Sequence, residues 1–234
     1  MFIPLHDDSA LQVIRFHYMS VLIAAVNVAM LVYSEHIAAG TVFFSLGAIP
    51  ALLTDHADMD PALILVPEPV TLLTHMFMHG GWVHLASNML FLWVFADNIE
   101  DAYGHFGFLA FYLFCGVAAA ATHILIFPDS QVPLVGASGA VAGVLGSYLV
   151  LFPKARVWIL VFSRLPVRIS AYWALLGWLG FQFCAVALAQ DEIQVAWWAH
   201  IGGFAAGFAV TWLLRGPLRR RLEVQGQIGA GTQR

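Results

Sequence analysis

The stretch HFGFLAFYLFCGVAAAATHILIF, His105 to Phe127, contains no Asp, Glu, Lys or Arg. As a helix rising ~1.5 Å per residue it reaches about 34 Å, enough to cross the ~30 Å hydrocarbon core of a bilayer. The rest of the chain has the same character. Of 234 residues, 61% are hydrophobic and 10% charged, against ~25% charged in an ordinary soluble domain. Mean hydropathy is +0.81. Ten basic and 14 acidic side chains cannot keep so apolar a surface dissolved. A soluble enzyme and a disordered chain are therefore excluded. The net charge of -4, with no basic stripe, also excludes a nucleic-acid binder. The expected fold class is all-α: a polytopic membrane bundle of six transmembrane helices.

Working outward from His105–Phe127, five further apolar runs meet the length criterion or approach it. They are Phe16 to Tyr33, Trp82 to Ala96 (preceded by apolar Val70 to Met78), Gly136 to Pro153, Ile169 to Ala189 and Ile193 to Leu214. Ile37 to Leu53 is apolar but interrupted by Gly40, Gly47 and Pro50. It reads as part of a long loop in the outer interface; a seventh span is the alternative. The expected division is a short cytoplasmic segment 1–15, a membrane domain 16–214 and a polar tail 215–234. The glycine-rich composition after Leu222 predicts disorder there. No cleavable signal peptide is expected, because Asp7 and Asp8 make the N-terminal segment acidic. Cys115 and Cys184 show no metal or disulfide spacing and read as small buried hydrophobes.

Basic residues set the orientation. Arg15 precedes the first span; Lys154, Arg156, Arg164 and Arg168 lie between the fourth and fifth; Arg215, Arg219, Arg220, Arg221 and Arg234 follow the sixth. Segments 35–81, 128–135 and 190–192 hold acids instead (Glu35, Asp55, Asp58, Asp60, Glu68, Asp129, Asp191 and Glu192). With six spans, all Lys and Arg fall on one side, which the positive-inside rule makes cytoplasmic, together with both termini.

Polar groups at membrane depth are costly and mark function. His84 and Asn88 open the second span, Ser138 of Gly136-Ala137-Ser138-Gly139 opens the fourth, and His200 lies about two turns into the sixth. All three spans run in the same direction, so these side chains converge in the outer third of the bilayer. Each alone has a structural explanation: a serine bonded to its own i−4 carbonyl, a packed histidine, an asparagine joining helices. Four at one depth point to a site. Gly139-xxx-Gly143 and Gly203-xxx-Gly207 permit close helix approach, and His200, Gly203 and Gly207 share one face. Packing through these faces brings Ser138 and His200 within hydrogen-bond reach.

These residues resemble the rhomboid family of intramembrane serine proteases, as a bacterial-type member with a six-span core. The resemblance rests on His75, His79, His84 and Asn88 in HMFMHGGWVHLASN, on Gly-Ala-Ser-Gly at 136–139, and on AHIGGFAAG at 199–207. It implies a serine endopeptidase that cuts transmembrane protein substrates near the outer membrane boundary. Ser138 would be the nucleophile and His200 the general base, with His84 and Asn88 stabilising the oxyanion. His75 and His79 would be structural. The implied location is a bacterial cytoplasmic membrane, with the lipid bilayer and membrane substrates as partners, no cofactor, no metal and no nucleic acid. Oligomeric state stays open.

Two departures stand out. The Trp-Arg pair that some members carry in the first external loop is missing, since no Arg lies between Arg15 and Arg156. The aromatic that some members place four residues after the nucleophile is here Ala142, which leaves open what orients His200, another aromatic being one candidate. No acidic residue lies at matching depth, so a Ser-His dyad is expected rather than a triad. Two other readings compete. One is a metal-binding transporter or metalloenzyme using His75, His79 and His84. The other is a non-catalytic relative that binds membrane helices.

Overall fold

The computed structural model describes residues 2–36, 41–161, 164–188 and 196–231. Strand β1 (Phe2–Asp7) leads to α1 (Tyr18–His36). Two short helices follow, α2 (Thr41–Leu46) and α3 (Pro50–Leu53), and then α4 (Thr71–Thr74). The long helices α5 (Trp82–Tyr103) and α6 (His105–Ile126) precede the shorter α7 (Ser138–Leu151). Strands β2 (Arg156–Val161) and β3 (Leu165–Ser170) lead into α8 (Ala171–Leu188), and α9 (Trp197–Gly231) ends the described chain.

Four of these helices, α1, α6, α8 and α9, are each long and apolar enough to cross a membrane. A fifth unit is the pair Pro61–Phe77 and Trp82–Tyr103, bent by 78° at its break. The bend has a local cause: Gly81 has φ 132°, which a residue with a Cβ rarely adopts. The sixth apolar helix, α7, has only 14 residues. Outward faces carry exposed Phe106, Phe114, Leu125, Trp173 and Leu213, as lipid contact requires and water would not tolerate.

Helix α7 is the centre of the bundle, buried at every residue from Gly139 to Leu151. Small side chains make this possible. A Cβ on Gly139 would lie 2.5 Å from Ala119 Cβ and one on Gly143 2.4 Å from Cys115 Cβ, so α6 packs against one side. On the other side, a Cβ on Gly203 would meet the Gly139 carbonyl oxygen at 2.0 Å, and one on Gly207 the Gly143 carbonyl oxygen at 2.1 Å. The backbones of α7 and α9 are therefore in direct contact along the two small-residue faces.

At the end of the bundle remote from Ser138 lies a feature that the sequence reading missed, an antiparallel sheet of order β1-β2-β3. Its signal was the alternation in Arg156–Val161, where Val157 and Ile159 are buried while Arg156 and Trp158 are exposed. Buried acids at the same end tether the N-terminal segment. Asp101 accepts the backbone N–H groups of Gln12, Val13 and Ile14 at 2.6, 2.8 and 2.7 Å. Glu100 accepts those of Met19 and Ser20 at 2.9 and 2.8 Å, together with the Ser20 hydroxyl at 2.6 Å, and so caps the start of α1.

Several boundaries differ from expectation. Residues 37–40 and 189–195, including Asp191, Glu192 and the expected start of the sixth span, lie outside the described residues. The described part of Ile37–Leu53 is α2 and α3, both too short to span. Backbone bonds between Ala48 and Leu134 tie it to the segment after α6. Helix α9 does not stop at Leu214; its backbone continues to Gly231. Leu218 and Leu222, one turn apart and both buried, dock this extension, and Arg219 donates to the Val150 carbonyl at 3.1 Å, closing the last turn of α7. Cys115 is buried as expected, whereas Cys184 is exposed on α8.

Candidate active site

Three helices begin at the site. Ser138 is the first residue of α7, His84 the third of α5, and His200 the fourth of α9. His200 is thus one turn into its helix instead of two, because α9 starts at Trp197. The placement of Ser138 is built locally. Gly136 N–H donates to the His75 carbonyl at 2.9 Å, and Ala137 N–H to His79 Nε2 at 3.4 Å. His75 and His79 therefore fix the two residues ahead of Ser138. Gly136 has φ 121°, and a Cβ there would lie 2.9 Å from the His84 ring. Only glycine meets both conditions.

Ser138 Oγ lies 2.8 Å from His200 Nε2. On its other side, His200 Nδ1 lies 2.9 Å from Gln182 Oε1 of α8. Two tryptophans flank the imidazole: the Trp178 ring centroid is 6.0 Å away and tilted, and that of Trp197 is 5.9 Å away and edge-on. These rings stand where Ala142 supplies none. Gln182 and the two tryptophans were not singled out in the sequence. An isolated Gln in an apolar helix is the one local signal, as a buried amide needs partners.

His84 and Asn88 line the same side of the site. Asn88 Nδ2 donates to the His84 carbonyl at 3.2 Å, which leaves its second amide proton available. The His79 and His84 rings meet edge-to-face at 5.0 Å. Helix α7 starts without a side-chain cap, so its first-turn N–H groups have no intrahelical acceptor.

These residues surround a cavity of about 530 Å³. Gly80, Ser87 and Val132 at its rim are exposed, and Phe91, Val141, Leu145 and Trp178 form an apolar floor. The cavity is wide enough for an extended peptide segment and for water. Among the described residues no three His, Cys, Asp or Glu side chains gather as a metal ion would require. Of the histidines proposed for that role, His75 Nδ1 bonds the Thr71 carbonyl at 3.1 Å, and His79 Nε2 is occupied by Ala137 N–H.

The chain is similar to Rhomboid protein 1, mitochondrial, of Saccharomyces cerevisiae, 29% identical over 170 residues, covering 69% of this chain and 48% of that protein. It is 34% identical over 148 residues to Rhomboid-like protein 11, chloroplastic, of Arabidopsis thaliana, covering 60% of this chain and 51% of that protein. It is 35% identical over 147 residues to Rhomboid protease GluP of Bacillus subtilis, covering 63% of this chain and 26% of that protein. The chain thus spans about half the length of the first two and a quarter of the third. Relatives named for mitochondria and chloroplasts stand beside a bacterial one, so the likeness carries a membrane location and not a bacterial membrane in particular. Residues 67–217, from the segment before α4 through Pro217 of α9, match the Rhomboid domain family model, and the chain belongs to the rhomboid family.

Proposed function

We propose that the protein is an intramembrane serine endopeptidase that hydrolyses peptide bonds of transmembrane protein substrates near the outer membrane boundary. The observation that carries this reading is the 2.8 Å separation of Ser138 Oγ and His200 Nε2 in the wall of a cavity whose rim residues Gly80, Ser87 and Val132 are exposed. A serine hydroxyl is a weak nucleophile until a base takes its proton, and an imidazole at hydrogen-bond distance is that base.

The reaction runs in two halves. Ser138 Oγ attacks the scissile carbonyl carbon while its proton passes to His200 Nε2. Negative charge collects on the carbonyl oxygen, facing the free amide proton of Asn88, His84 and the open N–H groups at the start of α7. One preorganised donor of this kind is worth ~3 kcal/mol in the transition state. The C–N bond then breaks as His200 returns the proton to the leaving nitrogen. Water from the cavity attacks the acyl-serine, its proton goes to His200, and Ser138 is released.

Depth supports an intramembrane site. Fourteen residues make α7 ~21 Å long against a ~30 Å core. That is ~9 Å less than the core thickness, so α7 does not reach both boundaries, and its Ser138 end fits a site sunk below the outer one. A substrate helix must unwind there to expose its bond, which favours Gly, Pro or Ser near the cut.

The test is cleavage of a model single-pass membrane protein by the purified protein in detergent. The parent is expected to cut it. Ser138→Ala and His200→Ala are each expected to abolish cleavage with the thermal transition retained. A Ser138→Ala variant as fast as the parent overturns the assignment. A folded parent that neither cleaves nor reacts at Ser138 with a fluorophosphonate probe favours the non-catalytic relative.

A further inference from the structure

Resting on the protease reading, we infer that Gln182 is the positioning residue of the dyad: its side-chain oxygen accepts the Nδ1–H of His200 and thereby keeps Nε2 free to receive the Ser138 proton. A neutral imidazole carries one proton on its two nitrogens, so one is a donor and the other an acceptor. For Ser138 Oγ–H to donate to Nε2, the proton must sit on Nδ1 and point at an acceptor. Gln182 Oε1, 2.9 Å away, is that acceptor.

The amide could instead turn its NH₂ toward the ring. It would then donate to Nδ1, force the proton onto Nε2 and leave Ser138 facing a donor. The far side of the amide decides between the two. Gln182 Nε2 lies 3.3 Å from the Trp178 carbonyl oxygen, which can only accept. Turning the amide would set two oxygens against each other there. Gln182 is also 1% exposed, so no solvent exchange relaxes the constraint. The result is a one-way chain of donors: Ser138 hydroxyl to His200, His200 to Gln182, Gln182 to the backbone of α8. It links α7, α9 and α8.

This arrangement places the orienter on a helix that carries neither the nucleophile nor the base. It does the work of a triad carboxylate in fixing ring and tautomer, without burying a charge in an apolar bundle. Trp178 supplies both the carbonyl that fixes the amide and a ring beside the imidazole, so one turn of α8 sets the tautomer and the tilt.

Two measurements on the full chain test it. The first does not depend on catalysis. With histidines labelled by nitrogen-15, the NMR signal lost in His200→Ala reports the His200 tautomer. The parent is expected to carry the proton on Nδ1, and Gln182→Leu to give a mixture. A parent proton on Nε2, or a Gln182→Leu spectrum identical to the parent's, overturns the inference.

The second is kinetic. Gln182→Leu is expected to lower kcat about a hundredfold with KM little changed, the usual consequence of a misplaced catalytic group. Gln182→Glu keeps an acceptor and is expected to restore most of kcat. It should also move the acid limb of the pH–rate profile upward, by about one unit or more, because a carboxylate favours the imidazolium. A role in packing alone would leave that limb in place, and an unmoved limb overturns the inference. Should Gln182→Leu fail to fold, the parent tautomer and the Gln182→Glu profile still decide. A folded parent that cleaves nothing but shows the Nδ1 proton overturns the protease reading and supports the hydrogen-bond assignment.

Discussion

Gly207 and Gly143 meet backbone to backbone, so closely that a Cβ on Gly207 would lie 2.1 Å from the Gly143 carbonyl oxygen and 2.6 Å from its Cα. No rotamer relieves a clash with main chain. Gly207→Val is therefore expected to push α9 off α7, costing ~1–3 kcal/mol as overpacking does. A displacement of ~1 Å between Ser138 and His200 is enough to lower cleavage about a hundredfold. Thermal unfolding in detergent and a cleavage assay check the two effects together. Gly216→Ala in the same helix, with open space at its Cβ, should leave both near the parent value.

Gly136→Ala should be more selective. The φ of 121° and the 2.9 Å approach to the His84 ring lie next to Ser138 rather than in the bundle core. Strain of ~1–3 kcal/mol will fall on the Ser138–His84 geometry. Fluorophosphonate labelling of Ser138 is expected to slow at least tenfold, while the unfolding temperature drops by only a few degrees. An unchanged labelling rate would remove Gly136 from the construction of the site.

Glu100→Ala tests the opposite end of the bundle. It deprives the N–H groups of Met19 and Ser20, and the Ser20 hydroxyl, of their shared acceptor. Each unsatisfied buried donor costs ~1–3 kcal/mol, so a loss of about 3 kcal/mol and an early, local unfolding of α1 are expected. Protease susceptibility of the segment between β1 and α1 is the readout.

Asp7 supplies a pH dependence. It is buried, and it accepts from the Tyr148 hydroxyl at 2.5 Å and from Asn98 Nδ2 at 3.1 Å. Burial lifts its carboxyl above its ordinary value of 3.8, against the opposing pull of the Tyr148 hydrogen bond. The folded protein holds this proton to higher pH than the unfolded chain does. Its contribution is therefore full below the unfolded value and is lost as pH rises through the folded one. Unfolding temperature measured upward from about pH 4 should fall in the parent more than in Asp7→Asn. Equal slopes would mean that Asp7 titrates alike in both states.

Much of this was legible in the sequence because its causes are local. Apolar runs declare membrane helices through length alone, and the pairs Gly139/Gly143 and Gly203/Gly207 declare which faces meet. The motifs around His84, Ser138 and His200 mark helix starts that gather at one end. What escaped reading depends on distant partners. Gln182 acquires meaning only when α8 lies beside α9. Glu100 and Asp101 look like ordinary acids at a helix end until residues 12–20 fold back onto them. The sheet was masked because Pro166 and the charges of segment 154–168 read as a loop, and because β1 lies some 150 residues from its partner β2 in the chain.

Strand β1 has a consequence for biosynthesis. Phe2 to Asp7 leave the ribosome some 150 residues ahead of their partner Arg156 to Val161, a delay on the order of ten seconds at ordinary translation rates. Through that interval an unpaired, largely apolar strand must wait while four apolar helices are inserted. Its partner emerges before α8 and α9 are made, so the strand can be pinned to a four-helix intermediate on which the last two long helices then pack.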